Sequence, residues 1–406
     1  MKNIISIFFQ FGIRDGVEII FQKIKNKFFF QINRQKTDLQ PIIKVLKSGN
    51  LSSSPYPSKI VNDFTKKFLK LHDGERGICV SNGTVALSVI FKTCGIKYGD
   101  EVIMPALTFH STASIALELG IIPVFVDVDP DNLCIDPKKI EEKISIKTKA
   151  IIVVHLGSII ADLDSIRELC AKKDLKMIED CSHAHGSKWK QKGVGSYGDF
   201  SFFSFQNSKL INAGEGGFIM INDQDHFKKC LSYVNCGRNS EPFTTLGVNH
   251  RLTEIQAAIL INSQKRFQKN IKKIDFHISF FKKEISKINN ITALKKHDKQ
   301  TLQLGYFFGL KLNEKKFDAS HRKKIVYDLN NRGINSIDCL YQPVYLTPEF
   351  GWKDSPINVD YSKVVCPEAE KASKKNVLWI HHSFFNQNLS SVKYGLKVLN
   401  KLINNE

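Results

Sequence analysis

The stretch I-C-V-S-N-G-T-V-A-L-S-V-I-F-K-T, residues 78–93, decides how the rest of the chain is read. A short apolar strand runs into a Ser-Asn-Gly-Thr turn, and from Thr84 to Thr93 the apolar residues return at helical spacing. The unit then recurs. E-V-I-M-P (101–105), P-V-F-V-D-V (123–128), A-I-I-V-V-H (150–155) and K-M-I-E-D (176–180) are apolar or β-branched runs of strand length. Between them lie helical patterns at 111–120, closed by Gly120, and at 162–173, opened by Asp162. Strands alternating with helices of this size predict an α/β fold whose sheet is mostly parallel and covered on both faces. Beyond about residue 250 the pattern changes. T-E-I-Q-A-A-I-L-I-N-S-Q-K-R-F-Q-K-N (253–270) predicts a long helix, with more helix to about 288. Short strands and helices follow, as in a smaller α+β domain. The expected division is an extension over 1–37, a large domain over 38–270 and a small C-terminal domain over 271–406.

At 406 residues the chain is long enough for two cores, and its 42% hydrophobic and 24% charged residues are ordinary for a globular protein. No apolar run approaches the roughly 20 residues that span a bilayer. The first sixteen residues hold a short apolar stretch broken by Gln10, Gly12 and Arg14 and lack a small-residue cleavage site, so a cytoplasmic protein is expected. Nine cysteines are scattered without a C-x-x-C pair, which argues against a zinc site and a disulfide framework. The net charge of +19 reads three ways: a nucleic-acid surface, a site for an anionic substrate, or a lysine-rich composition spread along the whole chain. Residues 17–30 place Ile19, Ile20, Ile24 and Phe28 at helical spacing among lysines. Such a basic amphipathic helix packs on its own domain or a partner, or lies on a membrane surface.

Chemistry concentrates in three places. F-S-F-Q-N-S-K-L-I-N-A-G-E-G-G (203–217) sets Lys209 before a glycine-rich turn. A lysine buried beside a cationic group is a neutral nucleophile near pH 7, and Gly214, Gly216 and Gly217 would let the backbone approach a flat ring. K-M-I-E-D-C-S-H-A-H-G (176–186) ends an apolar strand on Asp180, the place where open α/β sheets bind ligands. A carboxylate there suits a protonated pyridine nitrogen, and His183 lies three residues on. S-N-G-T (81–84) offers Gly83 and Thr84 at a helix N-terminus, which favours a phosphate. Taken singly, each has an ordinary counterpart: a solvated lysine, a turn-capping aspartate with a core histidine, a helix cap.

Their order and spacing are more specific, and resemble fold-type I pyridoxal-phosphate enzymes. More narrowly, from about residue 40 onward the chain resembles the StrS/DegT-type sugar aminotransferases. S-N-G-T-V-A-L, G-D-E-V-I-M-P-A-L-T-F, P-V-F-V-D-V-D-P, G-S-Y-G-D-F-S-F-F-S-F and G-V-N-H-R-L-T-E-I-Q-A-A-I (247–259) carry the likeness. It implies a large domain with a mostly parallel seven-stranded sheet flanked by helices, and pyridoxal 5'-phosphate as cofactor. By the same likeness Lys209 would hold the cofactor covalently and carry a proton between carbon atoms. Asp180 would pair with the pyridine nitrogen, His183 would lie near the ring oxygen, and Phe109 would stack on the ring. Gly83, Thr84 and Ser204 would bind the phosphate, and Asn249 would reach it from a neighbouring subunit of a homodimer.

Where commoner members read H-L-Y-G-Q-P, this chain reads H-L-G-S-I-I (155–160). The F-Q-N-S-K stretch with G-E-G-G, the E-D-x-x-H-A-H-G block and V-C-P-E-A-E…L-W-I-H-H (365–382) look closer to glutamine-dependent cyclitol aminotransferases and aminohydroxybenzoate synthases. The expected reaction moves an amino group from glutamate or glutamine to a keto-sugar or keto-cyclitol, for a surface polysaccharide or a secondary metabolite. The expected partners are those two small molecules and a second copy of the chain, with no nucleic acid and no metal. Lys209 separates this reading from sugar dehydratases, which carry histidine there. The alternative is a non-catalytic protein on the same scaffold that binds a partner or a membrane through its N-terminal segment.

Overall fold

The computed structural model describes residues 39–238, 245–350 and 352–404. The expected helix at 17–30 lies outside them. The chain divides into two compact units, 1–44 and 45–406. Helix α1 (Gln40–Ser48) begins the described part and α2 (Lys59–His72) follows.

Next come β1 (Arg76–Val80), α3 (Gly83–Thr93), β2 (Glu101–Pro105), α4 (Ser111–Glu118), β3 (Ile122–Val126), β4 (Thr148–Val154), α5 (Leu163–Lys173) and β5 (Lys176–Asp180). The short β6 (Lys188–Trp189) and β7 (Lys192–Gly193) precede β8 (Phe200–Ser204), β9 (Gly217–Ile221) and α6 (Gln224–Val234). Seven of these strands form one sheet in the order β1-β9-β8-β5-β4-β2-β3. β8, β5, β4, β2 and β3 run parallel, while β9 is antiparallel to both β8 and β1. Every residue of β9 and the last five of β4 are buried, so neighbours on opposite sides of the pleat are both covered. Asp162 caps α5 by accepting from the Ser165 N–H, as its position in the sequence implies.

The rest of the chain builds the second part of the fold. α7 (Glu254–Ile285) opens with a reciprocal Thr253–Gln256 capping box and runs unbroken through residue 270, where the domain boundary is expected. β10 (Ile291–Ala293), β11 (Gln300–Leu302), β12 (Phe307–Leu312), α8 (Ala319–Asn331), β13 (Ser336–Ile337), α9 (Pro367–Lys371), β14 (Val377–His381) and α10 (Leu389–Asn404) complete it. A four-stranded antiparallel sheet has the order β10-β12-β14-β13, and β11 joins β6 and β7 in a three-stranded one. Among the described residues no helix is long and apolar enough to cross a membrane.

Two features position the site. Phe64 and Phe68 of α2 pack edge-on and tilted against Phe203, Phe205 and Phe218, which fixes the β8–β9 hairpin from below. Glu179, one residue before Asp180, is buried and accepts from the backbone N–H groups of Gly195, Tyr197 and Gly198 at 2.9, 2.8 and 2.7 Å. It thereby holds the turn leading into β8.

In the glycine-rich turn one glycine closely approaches protein backbone. A Cβ on Gly217 would lie 2.3 Å from the Asn82 carbonyl oxygen and 2.9 Å from the Gly83 nitrogen. The glycine is therefore required by the approach of β9 to the S-N-G-T turn. Gly214, at φ +84°, turns the chain between Asn207 and β9. Gly217→Ala should force the hairpin off that turn and cost about 1–3 kcal/mol. Urea unfolding checks this, and a variant as stable as the parent would refute the close-approach argument.

Candidate active site

Lys209 sits in the β8–β9 hairpin loop, which is closed by hydrogen bonds from Phe205 N–H to Gly216 C=O and from Asn207 N–H to Gly214 C=O. Its own N–H donates to Gln206 C=O at 2.9 Å. The side chain is buried, with Nζ 4.1 Å from the centre of the Tyr306 ring. Burial pushes the ammonium down to about 8, opposed by the pull of the Asp180 carboxylate.

Asp180 ends β5 and is buried. One oxygen accepts from the Ser182 N–H at 3.0 Å. Burial raises this carboxyl, while Ser182 and the charges of Lys209 and His155 act the other way. Its neighbour Glu179 ends below its ordinary value, since burial raises it but His155 and the backbone donors outweigh that. The two carboxylates thus differ. One is saturated with donors, and the other keeps capacity for a cationic partner. His155, Glu179 and Cys181 bring donor atoms within 4.8 Å of one another, but the Glu179 oxygens are occupied by backbone N–H groups and burial keeps the Cys181 thiol protonated.

His183 is buried between Gly157 and Tyr341. Gly157 N–H donates to Nδ1 at 3.3 Å, and Nε2 meets the Tyr341 hydroxyl at 3.0 Å. Its ring lies 4.4 Å from that of Tyr306 and nearly parallel to that of Tyr341, 5.8 Å away. Burial, with Lys209 and His185 nearby, holds the imidazole well below its usual range. Phe109 is 48% exposed, with its ring 6.0 Å from Tyr341. A side chain at 157 has no room: a Cβ there would lie 2.6 Å from Trp379 and 2.9 Å from the Phe307 carbonyl. Glycine at 157 is therefore required by the packing of Trp379 from β14 and of the Phe307 carbonyl against this loop.

Asn82 caps α3, accepting from Val85 N–H at 2.8 Å, so Gly83 and Thr84 form the free first turn. A Cβ on Gly83 would touch the Ser204 side chain at 3.0 Å, and the Thr84 hydroxyl donates to Ser111 at 3.1 Å. Gly83, Thr84 and Ser204 therefore share one corner of the sheet edge. Asn249 is exposed; it bridges to Asn235 and accepts weakly from Arg251 N–H.

The structure adds residues that local pattern does not reveal. Tyr306 bonds through its hydroxyl to Ser208 at 2.7 Å, His382 Nε2 donates to Ser208 C=O at 3.1 Å, and His382 N–H donates to Tyr306 C=O. Tyr306 and His382 lie 98 and 174 residues from Ser208 along the chain. The only sequence signal was the H-H pair ending L-W-I-H-H, to which no role attached.

A buried amine of lowered basicity, a strand-end carboxylate lacking a full set of donors and a helix N-terminus beside Ser204 suit the aldehyde, pyridine nitrogen and phosphate of pyridoxal phosphate. Fold and site together define a fold-type I pyridoxal-phosphate enzyme. The chain belongs to the DegT/DnrJ/EryC1/StrS aminotransferase family, whose profile matches residues 33–392, and it is a pyridoxal-phosphate-dependent aminotransferase. It is 33% identical over 387 residues, 91% of this chain and 93% of the other, to a protein of Streptoalloteichus tenebrarius provisionally named L-glutamine:3-amino-2,3-dideoxy-scyllo-inosose aminotransferase. In fold it is similar to the crystal structure of 3-amino-5-hydroxybenzoic acid synthase, with a TM-score of 0.84, 24% identity and coverage of 92% of this chain and 98% of that one. NtdA of Bacillus subtilis, solved with its cofactor PMP bound, is similar at a TM-score of 0.75 and 26% identity, covering 88% and 81%.

The lowered basicity of Lys209 is directly measurable. Its capture of an aldehyde, trapped with borohydride, should rise about tenfold per pH unit and level off above about pH 8. A rate still climbing at pH 10 would mean an ordinary, hydrated lysine.

Proposed function

We propose that this enzyme moves an amino group from glutamine to the ketone of a cyclitol or related sugar ring. The product would be an amino sugar or aminocyclitol for a surface polysaccharide or a secondary metabolite. The buried Lys209 amine beside Asp180 carries the reaction. Donor and acceptor rest on the relative of S. tenebrarius, whose name specifies glutamine and an inosose, and on the 155–160 stretch that sets the chain apart from commoner members of the family.

When bound, pyridoxal phosphate supplies an electron sink for charge developing at the substrate carbon. Lys209 is the residue proposed to hold it covalently and, once released, to take and return a proton as a neutral amine. Asp180 would pair with the pyridine nitrogen, which keeps that nitrogen protonated. The first-turn N–H groups of Gly83 and Thr84, with the Ser204 hydroxyl, would bind the phosphate. Phe109 would cover one face of the ring and exclude water there, and His183 with Tyr341 would line its edge. By the family likeness Asn249, exposed in a single chain, would reach the phosphate held by a second copy in a homodimer. In this reading residues 38–270 form the cofactor domain and 271–406 the smaller one.

Purified protein is expected to be yellow, with the colour bleached by borohydride and the label on Lys209. Lys209→Ala should be colourless and lose ~10²–10⁴-fold or more in amino transfer. Glutamine alone should convert the chromophore, and keto-cyclitols should then restore it. If only nucleotide-linked keto-sugars restore it, the acceptor assignment fails; if the protein stays colourless with added cofactor, the site assignment fails.

A further inference from the structure

The hydrogen bonds around His183 fix where its proton lies, and that in turn frees another. Gly157 N–H points at Nδ1, so Nδ1 must offer a lone pair; an N–H on that atom would face another N–H. A neutral imidazole accepting at Nδ1 carries its proton on Nε2. Nε2–H therefore donates to the Tyr341 oxygen, 3.0 Å away. Once that oxygen accepts from His183, its own proton is not used between the two rings. Among the described residues His183 is the one hydrogen-bond partner of this hydroxyl. Gly157 is itself held: its loop is tied down by Gln300, which donates to Ser158 C=O and accepts from Ile160 N–H, and Gly157 C=O accepts from Tyr306 N–H. The direction of the relay is thus built into the backbone.

The free proton has a place to go. The Tyr341 ring lies 6.0 Å from that of Phe109, and its hydroxyl is in electrostatic reach of Asp180 and Tyr306. Phe109, Asp180 and the Tyr306-covered amine of Lys209 are the groups proposed above to surround the cofactor ring. Building on that reading, we propose that Tyr341 presents the hydrogen-bond donor to the phenolic oxygen of bound pyridoxal phosphate, and that His183 is a positioning residue. His183 orients the Tyr341 hydroxyl by donating to it, instead of meeting the ring oxygen itself. The sequence assigns that contact to His183 because the likeness carries over one position at a time, while Tyr341 arrives from 158 residues further along.

The test uses the holoenzyme and its absorption spectrum. A donor aimed at the phenolate favours the charged oxygen, so its loss lets the chromophore keep its proton to higher pH. In Tyr341→Phe the pH midpoint of the bound cofactor's visible band is expected to rise by about one unit or more. Borohydride should still label Lys209 in that variant. The groups facing the hydroxyl from neighbouring elements are His183, Asp180 and Tyr306, and none of them is altered in it. His183→Gln should keep the parental midpoint, because its amide oxygen can accept from Gly157 while its NH₂ donates to Tyr341. An unchanged midpoint in Tyr341→Phe, with labelling at Lys209 intact, overturns the proposal. A shift in His183→Gln as large as that in Tyr341→Phe overturns the positioning role. Absence of label in the parent protein would instead overturn the cofactor assignment on which both rest.

Discussion

Removing the Lys209 amine from water costs the chain the hydration of an ammonium ion, and the surrounding structure is arranged to make that burial tolerable. The hairpin loop that carries the lysine returns on itself through Gly214, while α2 props it from below with two phenylalanines. On one side stands the Tyr306 ring, whose face attracts whatever positive charge remains. Asp180 offers a partial counter-charge from the end of β5. With fewer of these supports the amine would either be solvated, and stay protonated at neutral pH, or be buried without a partner at a cost of several kcal/mol.

The adjacent carboxylates of β5 illustrate how neighbouring residues acquire different chemistry. Alternation along a strand sends Glu179 and Asp180 to opposite faces of the sheet. Glu179 meets three backbone donors and a histidine and becomes a structural bolt for the turn into β8. Asp180 meets one backbone donor and is left with capacity for a cationic partner. The same residue pair in solution would titrate almost identically.

Much of this was legible in the sequence, and the parts that were not share a reason. The parallel strands β2 to β5 read directly, because β-branched runs between helix signals have few other interpretations. Lys209, Asp180, Gly83 and Thr84 lie next to turns whose composition marks them. Strands β8 and β9 are faint in the sequence, since aromatic repeats such as F-S-F-F-S-F and G-G-F-I-M-I give only a weak alternation when both faces are buried. Helix α2 is equally faint. Its apolar face, Val61, Phe64 and Phe68, is interrupted by lysines that belong to the exposed side. Ser208, Tyr306, Tyr341 and His382 were invisible as a group because no local rule connects residues that meet only after two sheets have packed.

The contact between Gly157 and Trp379 has a consequence for how far this site tolerates substitution. One volume beside His183 is filled from β14, and a Cβ at 157 would overlap the indole. Trimming the indole would not make room for a side chain at 157, because the Phe307 carbonyl stands 2.9 Å from the same point and the backbone there is left-handed at φ +65°. Shortening Trp379 would therefore leave a hollow that no single side chain at 157 can refill.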